Sequence, residues 1–269
     1  MSTDLLFRLQ DVDLTYSLDG AQQICAVRGL SFEVGRGERI ALIGPSGCGK
    51  TTTIDLLAGF IRPSRGVAFF KDAPVNGADG SRGVLFQSTT LFPWRSVAGN
   101  VAFGSKLQRL KRKEREEQVE ELLETVGLRG LGDLYPFQLS GGMAQRVEVA
   151  RVLANEPEAL LLDEPFSRLD AQTRYRLQLW LMDLLDKLNM TLILVTHDIE
   201  EAILLADRVL VMSARPGRIE TEVPISIADR KTLDVISSTE FGELKARLLD
   251  CLSAVGSVRT SNKDEGSLK

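Results

Sequence analysis

The sequence predicts an α/β fold in which short apolar strands alternate with amphipathic helices. A glycine-rich loop at 44–51 lies between an apolar run at 39–43 and a helical pattern at 52–58. Two further apolar runs, 159–162 and 191–196, end in polar or charged side chains and are followed by helical patterns. Polar residues at the carboxyl ends of buried strands are typical of functional sites in α/β proteins.

Length and composition are those of one large globular domain, with or without an inserted subdomain. The chain has 269 residues, of which 43% are hydrophobic and 26% are charged. The formal net charge of −4 argues against a nucleic-acid-binding surface. The three cysteines are scattered without C-x-x-C spacing, so the sequence predicts neither a disulfide framework nor a zinc site.

The amino-terminal apolar residues are interrupted by Asp4 and Arg8, which makes this segment a poor signal peptide. No stretch approaches the roughly eighteen uncharged apolar residues of a membrane span. We therefore expect a cytosolic chain, in which any membrane role comes through a partner.

The glycine-rich loop fits the pattern G-x-x-x-x-G-K-[ST] of a phosphate-binding loop. It consists of Gly44, Pro45, Ser46, Gly47, Cys48, Gly49, Lys50 and Thr51, followed by Thr52. Glycines let several backbone N–H groups point at one anion, and the following helix adds its positive dipole end. Lys50 is placed to reach the β- and γ-phosphates, and the Thr51 hydroxyl to bind Mg²⁺. An ordinary glycine turn is the alternative, which the flanking strand and helix disfavour.

Residues 5–34 predict a β-rich start, because apolar and polar residues alternate there with period two. Tyr16 ends the first of these runs. Its ring has two interpretations, a residue that packs at the end of a strand or an aromatic face that stacks on a nucleobase. The spacing alone favours the first.

The segment after the predicted strand at 82–87 has neither helical nor strand periodicity. Phe92, Pro93 and Trp94 place large apolar groups beside a helix breaker. They are either local core residues or a contact surface for a partner. Residues 106–126 then predict a charged helix with a solvated face, since lysine, arginine and glutamate are mixed along it.

A second glycine pair opens the next helix. Ser140 is a natural N-cap, and Gly141 and Gly142 let backbone N–H groups face an anion. Alone, this short pattern is weakly specific.

Two later apolar runs each deliver ionisable side chains. The run at 159–162 ends in Asp163 and Glu164, whose side chains leave a strand on opposite faces. One carboxylate can therefore approach a metal while the other takes a separate role. The run at 191–196 ends at His197, the single histidine of the chain. Edge strands around the turn at 215–217 and a helix over 241–249 complete the predicted order.

These motifs, in this order, resemble those of the nucleotide-binding subunit of ABC transporters, and the resemblance covers most of the chain. The corresponding segments are residues 44–51 (Walker A), Gln87 (Q-loop), 139–143 (signature), 160–164 (Walker B), 167–170 (D-loop) and His197 (H-loop). Tyr16 lies where the family has its adenine-stacking aromatic, which reverses the preference stated above. Met143 replaces the usual signature glutamine, and Arg168 replaces the usual D-loop alanine.

The resemblance implies a P-loop NTPase with a RecA-like core, an N-terminal antiparallel β subdomain and an inserted α-helical signature subdomain. The ATPase domain is expected at 1–254, the helical insertion at roughly 88–156, and a disordered tail at 255–269.

The resemblance also implies a role for each site residue in ATP hydrolysis, with Mg²⁺ held by Thr51, Gln87 and Asp163. Glu164 is expected to act as the general base, and His197 to contact the γ-phosphate. Ser140, Gly141 and Gly142 are expected to act on the ATP of a second copy, in a head-to-tail dimer.

Residues 87–104 and 213–219 are most similar to the nitrate, sulfonate and taurine importers of this family. This implies an ATPase that drives import of a small anion at the cytoplasmic face of the inner membrane. Its partners would be permease subunits, contacted through Phe92, Pro93 and Trp94, and indirectly a substrate-binding protein. The alternative is a soluble ABC ATPase without a transport role, of the iron–sulfur assembly type.

Overall fold

The computed structural model describes residues 4–18, 22–107, 110–227, 230 and 232–257. The strands are β1 (Leu5–Leu18), β2 (Gln22–Gly35), β3 (Arg39–Ile43), β4 (Arg65–Phe70), β5 (Ala73–Pro74), β6 (Arg82–Leu85), β7 (Ala159–Asp163), β8 (Thr191–Val195), β9 (Arg208–Met212) and β10 (Ile219–Pro224). The α-helices are α1 (Lys50–Ala58), α2 (Val97–Leu107), α3 (Arg112–Thr125), α4 (Gly141–Leu153), α5 (Ala171–Leu188), α6 (Ile199–Leu205) and α7 (Thr239–Ser257). Short 3₁₀ turns occur at Pro136–Gln138 and Leu233–Ser237.

The chain forms two compact units. One comprises the described residues up to Ala78 together with those from Thr191 onward, and the other spans Asp79–Met190. None of the described helices is long and apolar enough to cross a membrane.

The first unit contains an antiparallel sheet with strand order β2-β1-β4-β5. It also contains β3 between β8 and β9, both parallel to it, with β10 antiparallel to β9. Strands β3 and β8 are apolar almost throughout, as parallel strands buried on both faces must be. Because β3 and β8 are parallel, the phosphate-binding loop and His197 leave the sheet at the same edge.

In the second unit β6 pairs in parallel with β7, and α2 packs against α3 and α4. Val101, Leu123 and Val147 are fully buried and belong to the core of these helices. Helix α5 buries one apolar stripe that includes Leu177, Leu181 and Leu185. The arrangement brings the residues that follow β6 and β7 to one edge.

The structure differs from the sequence predictions in three places. The charged helix expected over 106–126 begins only at Arg112, and α2, which was not predicted, precedes it. The final helix extends past residue 249 to Ser257 and so includes residues 255–257 of the predicted tail. Residues 258–269 of that tail lie outside the described residues. The limits 1–254 and 88–156 remain predictions.

Candidate functional site

The phosphate-binding loop has a backbone that only glycine accommodates readily. Gly47 and Gly49 have φ angles of 75° and 99°, in the left-handed region that side chains disfavour. A Cβ atom on Gly49 would also lie 2.5 Å from Cγ1 of Val27. The glycine at this position therefore lets the loop lie close to β2 while it turns into α1.

Lys50 is held against the loop that precedes it. Its side chain is nearly buried, with a residue exposure of 8%, and Nζ donates hydrogen bonds to the carbonyls of Gly44 at 2.8 Å and Pro45 at 3.3 Å. The positive charge is thus held beside the loop and largely shielded from solvent. It interacts more strongly with an anion there than it would in water. Thr51, the next residue, is exposed at the start of α1.

Tyr16 lies beside the first turn of α1. Its hydroxyl is 3.3 Å from Oγ1 of Thr52, within hydrogen-bond distance, and the residue is 40% exposed. The strand-end interpretation of this tyrosine therefore omitted a contact with the loop helix. The ring is available for stacking close to the phosphate-binding loop.

The phosphate-binding loop contacts the turn between β9 and β10, a contact that the sequence did not predict. Gly217 approaches so closely that a Cβ atom on it would lie 1.8 Å from the carbonyl oxygen of Cys48. Its N–H donates to the Ala26 carbonyl at 2.8 Å, and its carbonyl accepts from the N–H of Arg28 at 3.0 Å. Nε of Arg215 donates to the Gly47 carbonyl at 3.3 Å.

Cys48 is a packing residue of the loop. Its side chain is fully buried, and this burial raises the pKa of the thiol, although the nearby Lys50 opposes the shift. The thiol therefore stays protonated and is poorly placed to react.

His197 follows β8 and is exposed, between two residues whose side chains organise the turn. Oγ1 of Thr196 accepts from the N–H of Asp198 at 2.9 Å and donates to the buried carboxylate of Glu201. Asp198 caps α6 through the N–H groups of Glu200 and Glu201. The imidazole is thus presented to solvent from a fixed backbone.

In the second unit, the structure brings Gln87 and Glu164 together. Nε2 of Gln87 donates to Oε2 of Glu164 at 3.1 Å. The φ angle of Glu164 is 48°, an unusual backbone conformation for a side chain of this size, and its carbonyl accepts from the Ser167 hydroxyl at 3.0 Å. Asp163, the last residue of β7, is half-buried next to it.

The glycine pair after Ser140 begins α4 as predicted. The Ser140 hydroxyl accepts from the N–H of Met143 at 3.3 Å, which confirms its role as N-cap. Gly141 is exposed, and a Cβ atom there would lie 3.0 Å from Cδ2 of Leu169. Phe137, just before this turn, is 80% exposed.

The segment with Phe92, Pro93 and Trp94 is a well-anchored turn with one exposed ring. The side-chain amide of Asn100, fully buried, accepts from the N–H of Phe92 at 2.8 Å and donates to its carbonyl at 3.1 Å. The Phe92 ring packs against that of Phe103, with centroids 4.9 Å apart. Trp94 is 72% exposed, so the interpretation as a core residue does not hold for it.

The side chains predicted to bind magnesium are of a suitable chemical type, one of them in the first unit and two in the second. Thr51, Gln87 and Asp163 offer a hydroxyl, an amide carbonyl and a carboxylate, the oxygen ligands that Mg²⁺ prefers. The described part of the chain contains no group of three or more histidine, cysteine, aspartate or glutamate side chains that could hold a metal.

Comparison with known proteins gives one consistent family. The family model described as "ABC transporter" matches residues 27–167. An uncharacterized ABC transporter ATP-binding protein of Methanocaldococcus jannaschii is 42% identical over 245 residues, 91% of this chain and 90% of that protein. The taurine import ATP-binding protein TauB of Roseobacter denitrificans is 37% identical over 248 residues, 91% of this chain and 92% of that protein.

Solved structures agree in fold. The dimeric post-hydrolysis ATP-binding cassette MJ0796, bound to ADP and Pi, is 28% identical with a TM-score of 0.72, covering 82% of this chain and all of that one. The cbiO1 protein of Clostridium perfringens, part of the ABC transporter complex cbiONQ, is 28% identical with a TM-score of 0.75, covering 94% and 99%. These likenesses confirm the predicted P-loop NTPase fold.

Proposed function

The chain belongs to the ABC transporter family as an ATP-binding subunit, and we propose that it powers import of a small anion such as taurine, another aliphatic sulfonate or nitrate. It is an ATPase whose hydrolysis is coupled to transport. The observation that carries the proposed substrate class is the similarity, at 37% identity along nearly the full chain, to proteins named for taurine import. Within that similarity, residues 87–104 resemble the same importers.

The phosphate-binding loop supplies the ATP site in this proposal. Its N–H groups and the Lys50 ammonium bind the phosphates, and the Tyr16 ring stacks on the adenine. The other residues from Gly44 to Thr52 form the wall of the phosphate site. Buried positive charge beside a helix amino terminus is the arrangement that best stabilises a triphosphate.

Hydrolysis requires a positioned water and neutralised phosphate charge. Glu164 accepts a proton from the attacking water as general base, and its hydrogen bond with Gln87 fixes the carboxylate. His197 donates a hydrogen bond to the γ-phosphate. Thr51, Gln87 and Asp163 would hold Mg²⁺, which supplies positive charge to the phosphate oxygens when bound.

A complete site needs a second copy of the chain. Each chain carries one phosphate-binding loop and one signature turn, and Ser140, Gly141 and Gly142 act on the nucleotide of the partner. The exposed start of α4 suits this role because a helix amino terminus presents N–H groups to an anion, although that of Met143 is bonded to the Ser140 hydroxyl. The related MJ0796 cassette is described as dimeric. Nucleotide favours the closed dimer, and hydrolysis releases it.

The exposed Trp94, with Phe92 and Pro93, forms the proposed contact with permease subunits. A large aromatic side chain on a rigid turn is a typical anchor of an interface. The permease in turn receives the anion from a substrate-binding protein. In this proposal the chain is a peripheral subunit at the cytoplasmic face of the inner membrane.

Pull-down with the tagged chain from solubilised membranes tests the proposal, followed by reconstitution of the recovered complex in vesicles. We expect a permease to be recovered and ATP-driven uptake of labelled taurine, sulfonate or nitrate. Vesicles with Glu164→Gln are the control and should show none. Recovery of soluble partners alone would favour the iron–sulfur assembly alternative and contradict import.

A further inference from the structure

Helix α4 contains a buried carboxylate that none of the roles above uses. Glu148 is 4% exposed, and its Oε1 atom accepts hydrogen bonds from the hydroxyls of Thr89 and Thr90, each at 3.1 Å. The N–H of Thr90 donates to the same oxygen. A charge this deeply buried is stable only when such donors surround it. Both threonines belong to the short segment that follows Gln87.

Arg151 lies one turn later on α4 and reaches the same segment. Its guanidinium donates to the carbonyl of Thr90 at 2.8 Å and to the Thr90 hydroxyl. The Thr90 hydroxyl can therefore donate to Glu148 while it accepts from Arg151. The two charged side chains also form a direct ion pair, with Nη2 of Arg151 4.0 Å from Oε1 of Glu148. The guanidinium also lies 5.5 Å from the centroid of the Phe92 ring.

The segment 87–94 is consequently fixed at several points within its own unit. Gln87 bonds to Glu164 at one end, Thr90 bonds to α4 in the middle, and at the other end the backbone of Phe92 bonds to the buried side chain of Asn100. Charge-assisted hydrogen bonds to a buried group are stronger and more directional than those between neutral groups. The middle attachment is the one in which both a carboxylate and a guanidinium take part.

We infer that Glu148 is a positioning residue, which holds the segment 87–94 against the helix that begins at Ser140 and so keeps the Gln87 amide on Glu164. The inference deepens the proposed function and rests on the roles given there to Gln87 and Glu164. Loss of the carboxylate leaves Thr90 held only through Arg151, which loosens the segment and lets Gln87 shift. The phosphate-binding loop lies outside this segment and α4, so ATP binding is less affected than turnover.

The test measures steady-state ATPase activity and amide hydrogen exchange for Glu148→Gln, Thr90→Val and the double variant. Thr90→Ser is the conservative variant, and Glu120→Gln, on the exposed face of α3, is the matched control. We expect kcat of each single variant to fall about tenfold with KM for ATP within about twofold, since a small displacement at a reacting group is costly. Exchange in 88–94 should accelerate about tenfold. The losses in the double variant should be smaller than the product of the two single effects, because both substitutions remove the shared contact between Glu148 and the Thr90 hydroxyl.

Thr90→Ser should keep both readings near the values of the unmodified protein, and Glu120→Gln should change neither. Additive losses in the double variant, a raised KM with unchanged kcat, or normal kcat despite faster exchange would each overturn the inference. If Glu148→Gln does not fold, Thr90→Val decides alone, and normal kcat or normal exchange in it refutes the role.

Gln87→Ala separates failure of the inference from failure of the proposed function. If this variant loses activity while Glu148→Gln does not, only the positioning role of Glu148 is wrong. If Gln87→Ala keeps full activity, the proposed role of Gln87 is wrong and the inference falls with it. None of these measurements needs a permease, so a failed transport assay leaves the test intact.

Discussion

Nε2 of Gln87 lies 3.1 Å from Oε2 of Glu164 and donates a hydrogen bond to it. The contact follows from the register of two strands, since Leu85 near the end of β6 pairs with Leu162 near the end of β7. Parallel strands in register deliver the residues that follow them to the same place. The Gln87 amide thus orients the Glu164 carboxylate through one oxygen, Oε2.

Glu164→Gln should keep ATP binding and nearly stop turnover, because an amide cannot accept the proton of the attacking water. We expect kcat to fall about 10²- to 10³-fold, within the range for loss of a general base. Light scattering with ATP should show a persistent dimer. Unchanged ATPase activity would remove Glu164 from this role.

His197→Ala should cripple hydrolysis and leave stability nearly unchanged, because the imidazole is exposed and the turn around it is held by other side chains. ATPase rates and urea unfolding measure the two effects. Thr196→Val is the stability control, since it removes the hydrogen bond that Thr196 donates to the buried carboxylate of Glu201 and should cost about 1–3 kcal/mol of unfolding free energy. A normal rate in His197→Ala would mean that the histidine does not act on the phosphate.

Gly217→Ala should weaken ATP binding although Gly217 itself is not expected to touch nucleotide. The added methyl group would lie 1.8 Å from the Cys48 carbonyl oxygen and must displace the phosphate-binding loop. We expect affinity for a labelled ATP analogue to fall about tenfold or more, with a stability loss of about 1–3 kcal/mol from overpacking.

Gly242→Ala is the matched control for that measurement. A Cβ atom on Gly242 meets nothing within 4 Å, and the residue lies in α7, where alanine is the better helix former. This variant should bind ATP normally and be stabilised by up to about 1 kcal/mol. Equal affinities in the two variants would show that the contact with Cys48 does not shape the loop.

Trp94→Ala should reduce recovery of permease and its stimulation of ATPase activity, because the exposed ring is the proposed anchor. Loss of an anchor of this kind costs about 2 kcal/mol or more of binding, roughly 30-fold in affinity. Thermal unfolding should change little, unlike that of Phe92→Ala, which removes packing against Phe103. Normal permease recovery would contradict the proposed contact surface.

Local patterns in the sequence were sufficient for the phosphate-binding loop, the strands that carry Asp163 and His197, and the cap at Ser140. Each of these features depends on residues close together in the chain, and the conformational preferences of those residues agree with the final fold. Helix α2 was missed because Gly99 and Gly104 weaken its helical signal. Tertiary packing explains why residue 104 is a glycine, since a Cβ atom there would lie 2.7 Å from the Arg151 carbonyl oxygen.

The contacts that link distant segments could not be predicted. Gly217 reads as part of a Pro-Gly turn, and nothing near it in sequence indicates that it packs on Cys48. Glu148 similarly sits on a helix without any local sign that Thr89 and Thr90 cover it. The hydroxyl contact of Tyr16 with Thr52 also depends on how β1 meets α1.

The approach of Gly217 to Cys48 limits how this chain can be divided. A fragment that stops before residue 217 contains the complete G-x-x-x-x-G-K-T string but lacks the backbone that closes against it. Such a truncation is expected to recognise ATP poorly unless the missing piece is supplied as a separate peptide. Hybrids assembled from related cassettes should accordingly exchange the loop and the 213–218 turn together.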